Sequence, residues 1–259
     1  MIAAALRPAL GSPLGAYLRL EIRRQLRNRR FLIVTMALPL TLYLMYTAVL
    51  KLGADTPGAP SLASLFLASM ATYGAMAAAM SQANPIAVER ATGWTRQLRT
   101  TPLPRIGYVL TKLATAMLLT VPAVALVSAA AVVVNHVDLP LATIAELVLA
   151  IGIGAAPFAA LGILLGYLLD VDSAQGAMTL AFFGLAIFGG LFFPIDSFPE
   201  PLATIARVLP SYHLGQVARS IVTGASIGLL NVAALAAYAL LFGGLAAWRY
   251  RAVERRSGA

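Results

Sequence analysis

Cysteine is absent from the 259 residues, so the chain holds no disulfide framework, thiolate metal site or cysteine nucleophile. Charge is scarce too: 11% of residues are Asp, Glu, Lys or Arg, against about 25% in a soluble domain. So few charged groups cannot coat a water-facing surface, which excludes a soluble globular protein. Acidic residues number 10 against 19 basic ones, for a net charge of +9. No G-x-x-x-x-G-K-[ST] run occurs, which excludes ATP hydrolysis by a phosphate-binding loop of this chain. The two histidines, His136 and His213, lie far apart in sequence and offer no metal-ligand pattern. Paired carboxylates are missing from the middle of every apolar run, which argues against a proton- or sodium-coupled carrier and against an intramembrane enzyme.

What remains is hydrophobic: 60% of residues are apolar and the mean hydropathy is +0.83. About 20 apolar residues cross a bilayer as a helix. Charge-free runs predict six spans, at about 31–50, 61–82, 113–134, 147–169, 173–195 and 227–248. The expected fold class is all-α integral membrane, one transmembrane domain over residues 1–259. Sixteen of the 19 basic residues fall before the first span, between the second and third, or after the last. Lys51, Arg207 and Arg219 are left opposite, and the positive-inside rule puts both termini in the cytoplasm. The pI of about 10.4 then reflects topology, and no nucleic-acid partner is expected. Arg19 to Arg30 is strongly basic, and the apolar run that follows is too long for the core of a cleavable signal.

Three segments outside the spans carry pattern. Over residues 14–30, Leu14, Leu18, Ile22 and Leu26 recur at i+4, with Arg19, Arg23, Arg24 and Arg27 on other faces. This predicts a basic amphipathic helix lying in the cytoplasmic interface on its leucine face. The connection 84–105 reads NPIAVERATGWTRQLRTTPLPR and predicts a short helix from Glu89 to Leu98, with Gly93 inside it and Pro102 and Pro104 ending it. A charged helix held between two spans suits a push from a soluble partner, although an ordinary solvated loop has the same composition. Segment 196–225 is too short and polar to cross, yet too apolar for free solution. Re-entrant or interfacial helices capping the extracellular end of the bundle fit it best.

The loop Glu89-Arg90-x-x-Gly93-Trp94-x-x-x-Leu98-Arg99-x-Thr101-Pro102 resembles the Glu-Arg-x-x-Gly…Leu…Thr-Pro signature of the ABC-2 type permeases, the membrane subunits of bacterial ABC exporters. Ala91 and Trp94 stand where that family often has Glu and Thr, a variant similar to a subgroup of small drug- and peptide-type exporters. A second stretch is similar to the family's late signature: Gly189-Gly190, Phe193-Pro194, Phe198-Pro199, Leu209-Pro210 and Arg219. Glu21-Ile-Arg23-Arg24…Arg27-Asn28 resembles its interfacial helix.

The resemblance implies a permease driven by a separate ABC ATPase, in two copies, with a second permease subunit, identical or related, in the bacterial plasma membrane. ATP and Mg would bind the ATPase, and this chain would hold no cofactor, metal or catalytic residue. By the same resemblance the ATPase-coupling residues are Glu89, Arg90, Gly93, Trp94, Leu98, Arg99 and Pro102, with Glu89 and Arg90 touching the ATPase through their charges. Truncating that pair to alanine should then uncouple transport and leave folding intact. Glu21, Arg23, Arg24 and Arg27 would form the interfacial helix, which would share the docking of the ATPase with the loop. Phe193, Pro194, Phe198, Pro199, Pro210 and Arg219 would form an extracellular re-entrant gate. Tyr43, Tyr46, Phe66 and Tyr73 offer aromatic surface for a hydrophobic or amphipathic cargo such as a drug, antibiotic or peptide, in keeping with drug resistance; lipid packing explains the same residues. A lipid or lipid-linked glycan exporter, a secondary carrier or channel, and a non-transport membrane assembly protein remain as alternatives.

Overall fold

The computed structural model describes residues 13–50, 62–98, 100–104 and 107–256, and every regular element among them is helical. An apolar chain in lipid must satisfy its backbone internally, and helices do so within each segment. In chain order they are α1 (Pro13–Arg27), α2 (Arg29–Val49), α3 (Leu62–Met80), α4 (Ala83–Ala91), α5 (Trp94–Leu98), α6 (Gly107–Asn135), α7 (Leu141–Gly154), α8 (Ala156–Leu168) and α9 (Val171–Phe188). A single 3-10 turn at Ile195–Ser197 precedes α10 (Glu200–Val208), α11 (Pro210–Val222) and α12 (Leu229–Arg256).

Five stretches are long and apolar enough to cross a membrane: Leu62–Ala91, Gly107–Asn135, Leu141–Leu168, Val171–Phe188 and Leu229–Ala252. The expected first span falls on α2, whose described apolar part, Thr35–Val49, is shorter than a full crossing. Several boundaries differ from the hydropathy reading. The helix expected at 113–134 starts at Gly107, because Lys112 is taken inside it with partners. The run 147–169 begins at Leu141 and is two helices, α7 and α8, that meet at Ala155 just before Pro157. The span expected to reach residue 195 stops at Phe188, where Gly189 and Gly190 end the helix; Gly190 sits at φ +73, a left-handed conformation that glycine adopts without strain. The side chain of Asp170 accepts a 2.8 Å hydrogen bond from the Ser173 amide and caps α9 at its start, which holds that carboxyl below its ordinary pKa.

Helix α3 forms the middle of the bundle, with most of its residues buried. Its alanines and Gly74 let neighbouring helices approach closely, as small residues do between membrane helices. A Cβ on Gly74 would lie 3.2 Å from the Pro39 ring of α2. On the other side, Cβ atoms on Gly162 and Gly166 of α8 would sit 2.6 Å from the carbonyl oxygens of Met80 and Ala83. By contrast α9 and α12 keep broad apolar faces outward, with Leu180 78% and Leu240 77% exposed. Gly162→Ala or Gly166→Ala should therefore force α8 away from the α3–α4 junction and cost about 1–3 kcal/mol of stability. Gly243→Ala on α12, where a Cβ meets nothing within 4 Å, should leave stability unchanged; thermal unfolding of the purified protein in detergent compares them.

Candidate functional site

The expected loop 84–105 is mostly helix. α4 continues the direction of α3 after a turn at Ser81–Gln82, so Glu89 and Arg90 lie in the last turn of a membrane helix. Gly93 is not inside a helix. It stands between α4 and α5 at φ +74, and its amide hydrogen-bonds back to Arg90 O at 3.2 Å. A left-handed residue just past a helix end is where glycine serves best.

A charged cluster gathers α1, α4 and α6. The Lys112 ammonium on α6 is wholly buried and donates to Glu21 Oε1 at 2.6 Å and Glu89 Oε1 at 2.8 Å. Arg24 of α1 donates to the same Glu89 oxygen, and Tyr108 OH donates to Glu89 Oε2 at 2.6 Å. The Lys112 ammonium also lies 5.5 Å from the centre of the Tyr108 ring. A buried charge is tolerable only when paired and hydrogen-bonded, and here two carboxylates answer two cations. Burial pulls the Arg24 guanidinium down most strongly of any single effect, but its hydrogen bond to Glu89 and the charges of Glu89 and Glu21 together outweigh this and raise its pKa. Burial, followed by the charges of Glu89 and Glu21, pushes the nearby Tyr17 hydroxyl up as well.

Arg90, one residue on, points the other way. Its Nη1 donates to Gly166 O at 2.6 Å and Leu169 O at 3.2 Å, and its guanidinium lies over the Tyr167 ring at 5.7 Å. It thereby caps the C-terminal end of α8, where free carbonyls and the helix dipole favour a cation.

These placements revise two expectations. Glu89 is 4% exposed, so its charge is engaged inside the chain, and Arg90 is committed to α8. Truncating the pair would break both ties and disturb the fold, contrary to the sequence-based expectation. Among the described side chains of the α4–α5 elbow, the exposed ones include the uncharged Val88, Ala91, Thr92 and Trp94. Leu98 is half-buried against the cluster of Tyr17, Ile86, Tyr108 and Tyr167, while Pro102 is exposed and Arg99 lies outside the described residues. The interfacial helix turns polar residues toward the bundle, with Leu14, Leu18 and Ile22 half-buried. The inward face of α1 carries Tyr17, Glu21 and Gln25, whereas Leu26 is 51% exposed and Arg23 and Arg27 face outward. The buried lysine draws in Glu21, and the leucine stripe lies to one side of that contact.

At the far end of α9, about 27 Å along an 18-residue helix, α10 and α11 form a second constellation. Ser211 Oγ donates to Leu185 O at 2.6 Å, and Arg219 donates to Gly190 O at 2.8 Å and Ser69 Oγ at 3.3 Å. His213 Nδ1 shares a 2.9 Å hydrogen bond with Asn231 Oδ1, and Tyr238 OH donates to Val208 O at 2.8 Å. The expected gate residues therefore divide. Pro210 is buried and Arg219 is tied to α3 and the α9 terminus, whereas Phe193, Pro194 and Pro199 are exposed and Phe198 is half-buried against Ile195. The aromatic set divides too: Tyr43 and Tyr73 are sealed in the core, and Tyr46 stacks on Phe66 with ring centres 4.9 Å apart.

Sequence reasoning missed Lys112 and Tyr108 as members of one site. The available signal was a lysine near the start of an apolar helix, together with Glu21 as the only acid among seven N-terminal arginines. Among the described residues no group of three or more His, Cys, Asp or Glu is placed to hold a metal.

A helical bundle with five membrane-crossing stretches and a charged, helix-bound elbow at one end defines a multi-pass membrane protein of transport-permease type. The model of the ABC-2 family transporter protein matches residues 54–248, and the chain belongs to the ABC-2 permease family. It is similar to a protein of Bacillus subtilis (strain 168) named as a transport permease, YvfS, with 30% identity over 223 residues, covering 86% of this chain and 90% of that one. Members of this family are the membrane component that works with an ABC ATPase and are not themselves the ATPase.

Lys112→Met would leave Glu21 and Glu89 buried with only the half-exposed Arg24 to answer two carboxylates, and should cost about 3–5 kcal/mol of stability. The triple change Glu21→Gln, Glu89→Gln, Lys112→Met removes all three buried charges and should regain much of that loss. Unfolding transitions of the two variants in one detergent give the comparison.

Proposed function

We propose that this chain is the membrane-spanning subunit of an ATP-driven exporter for a hydrophobic or amphipathic cargo. Two permease subunits pair, and each receives one ATPase at its α4–α5 elbow; ATP and Mg reside on the ATPase. In this reading α2 is the first of six spans, both termini are cytoplasmic, and α10–α11 are the re-entrant pair at the extracellular end. The observation that carries it is the division of labour at the elbow. Glu89 and Arg90 tie α4 to α1, α6 and α8, while Trp94 stands 37% exposed beyond the Gly93 turn.

Such an elbow passes a push on the Trp94 side directly to three helices, because its inner face is held by charge-assisted hydrogen bonds that resist bending. The exposed surface offers an indole and small apolar groups, the chemistry of an anchor that fills a partner's pocket. Export out of the cytoplasm agrees with an elbow on the basic, cytoplasmic side. A drug, antibiotic or peptide cargo rests on the family variant Gly93-Trp94, and a lipid or glycan cargo would use the same coupling.

Trp94→Ala in the permease, co-reconstituted in vesicles with its partner ABC ATPase, should lower cargo-stimulated ATP hydrolysis at least tenfold. The thermal unfolding of the permease should not change, since the indole lies outside the core. Full stimulation in that variant would refute docking at the elbow.

A further inference from the structure

The outward face of α1 lies apart from the α4–α5 elbow and from the buried cluster. Ala16, Arg19, Leu20, Arg23, Arg24 and Arg27 line an open groove of about 600 Å³ along α1. Arg24 is turned toward Glu89 and Glu21, but no acidic side chain among the described residues pairs with Arg19, Arg23 or Arg27. Exposed leucines accompany these arginines: Leu20 is 54% and Leu26 51% exposed. Only Asn28 separates α1 from α2, so the groove is confined to the membrane border.

We propose that this groove binds the headgroups of anionic phospholipids in the leaflet that α2 enters. Guanidinium groups hold phosphodiester oxygens through paired N–H donors, and three of them on one face suit a row of headgroups. An acidic protein surface would also answer the arginines, but it would leave Leu20 and Leu26 in water. Acyl chains beneath the headgroups cover leucines and arginines together, which favours lipid over protein. The opposite side of the same helix carries Glu21 into the Lys112 cluster, so a headgroup bound here steadies α1 where it supports the coupling elbow.

The test uses the full-length permease in detergent, stripped of lipid and titrated with phosphatidylglycerol or phosphatidylcholine, with retained lipid counted by native mass spectrometry. Wild type should hold phosphatidylglycerol at least tenfold more tightly, and added salt should weaken that binding. Arg19→Gln/Arg23→Gln/Arg27→Gln should lower phosphatidylglycerol affinity on the order of a hundredfold, at roughly one charge's worth of attraction per residue. The corresponding triple lysine variant should retain most of it. Equal retention of the two lipids by wild type, binding indifferent to salt, or an unaltered glutamine variant would each overturn the proposal. A glutamine variant that keeps phosphatidylglycerol but no longer captures the ATPase would overturn it as well, and would assign the arginines to partner docking. The salt titration needs no variant, so a misfolded triple mutant would not protect the idea.

Discussion

A lysine with no exposed surface, set in an otherwise apolar helix, constrains everything around it. An unpaired ammonium in such surroundings costs several kcal/mol, so Lys112 requires carboxylates at hydrogen-bonding distance. None stands on its own helix nearby. One comes from α1, which must lie against α6 for Glu21 to reach, and the other from the last turn of α4. A tightly packed apolar substitute could be equally stable. What the charges contribute is specificity: no other register of α1 or α4 on α6 satisfies all four groups.

Glu89 and Arg90 are neighbours in sequence, and a helix sets successive side chains about 100° apart. That angle sends one into the α1–α6 cluster and the other to the exposed carbonyls at the end of α8. A two-residue motif thus joins three separate helices to one short segment. The Gly93 turn that follows frees α5 to project, and Leu98 returns the chain to the apolar cluster under the bundle. At the other end, Ser211 and Arg219 do a similar service for α11, engaging the Leu185 and Gly190 carbonyls at the terminus of α9.

Much of the architecture was legible because hydrophobic run length and basic-residue placement are one-dimensional signals. The run 113–134 lies within α6 and all but the first two residues of 227–248 lie within α12, and the family signature marked the segment where the charged contacts converge. The contacts themselves were not legible. Lys112 meets Glu21 across 91 residues of sequence, and no periodicity encodes that pairing. Leucines at i+4 marked α1 as amphipathic, but a period identifies a stripe and not which neighbour the opposite face meets. A charge in an apolar helix was the guide to that neighbour, because a buried ammonium needs a partner. The end of α9 was misplaced because the glycine pair Gly189-Gly190 stops the helix inside an unbroken apolar run.

The cluster of Glu21, Arg24, Glu89 and Lys112 has one more property that follows from its composition. Two cations and two carboxylates sum to zero, so the group shifts as an electrically neutral body. The work done by a membrane potential scales with the charge carried through it, about 2.3 kcal/mol per elementary charge per 100 mV. A neutral cluster carries none. Its displacement is indifferent to the voltage across the membrane, so any force that moves it meets the same electrical resistance in an energised membrane as in a depolarised one.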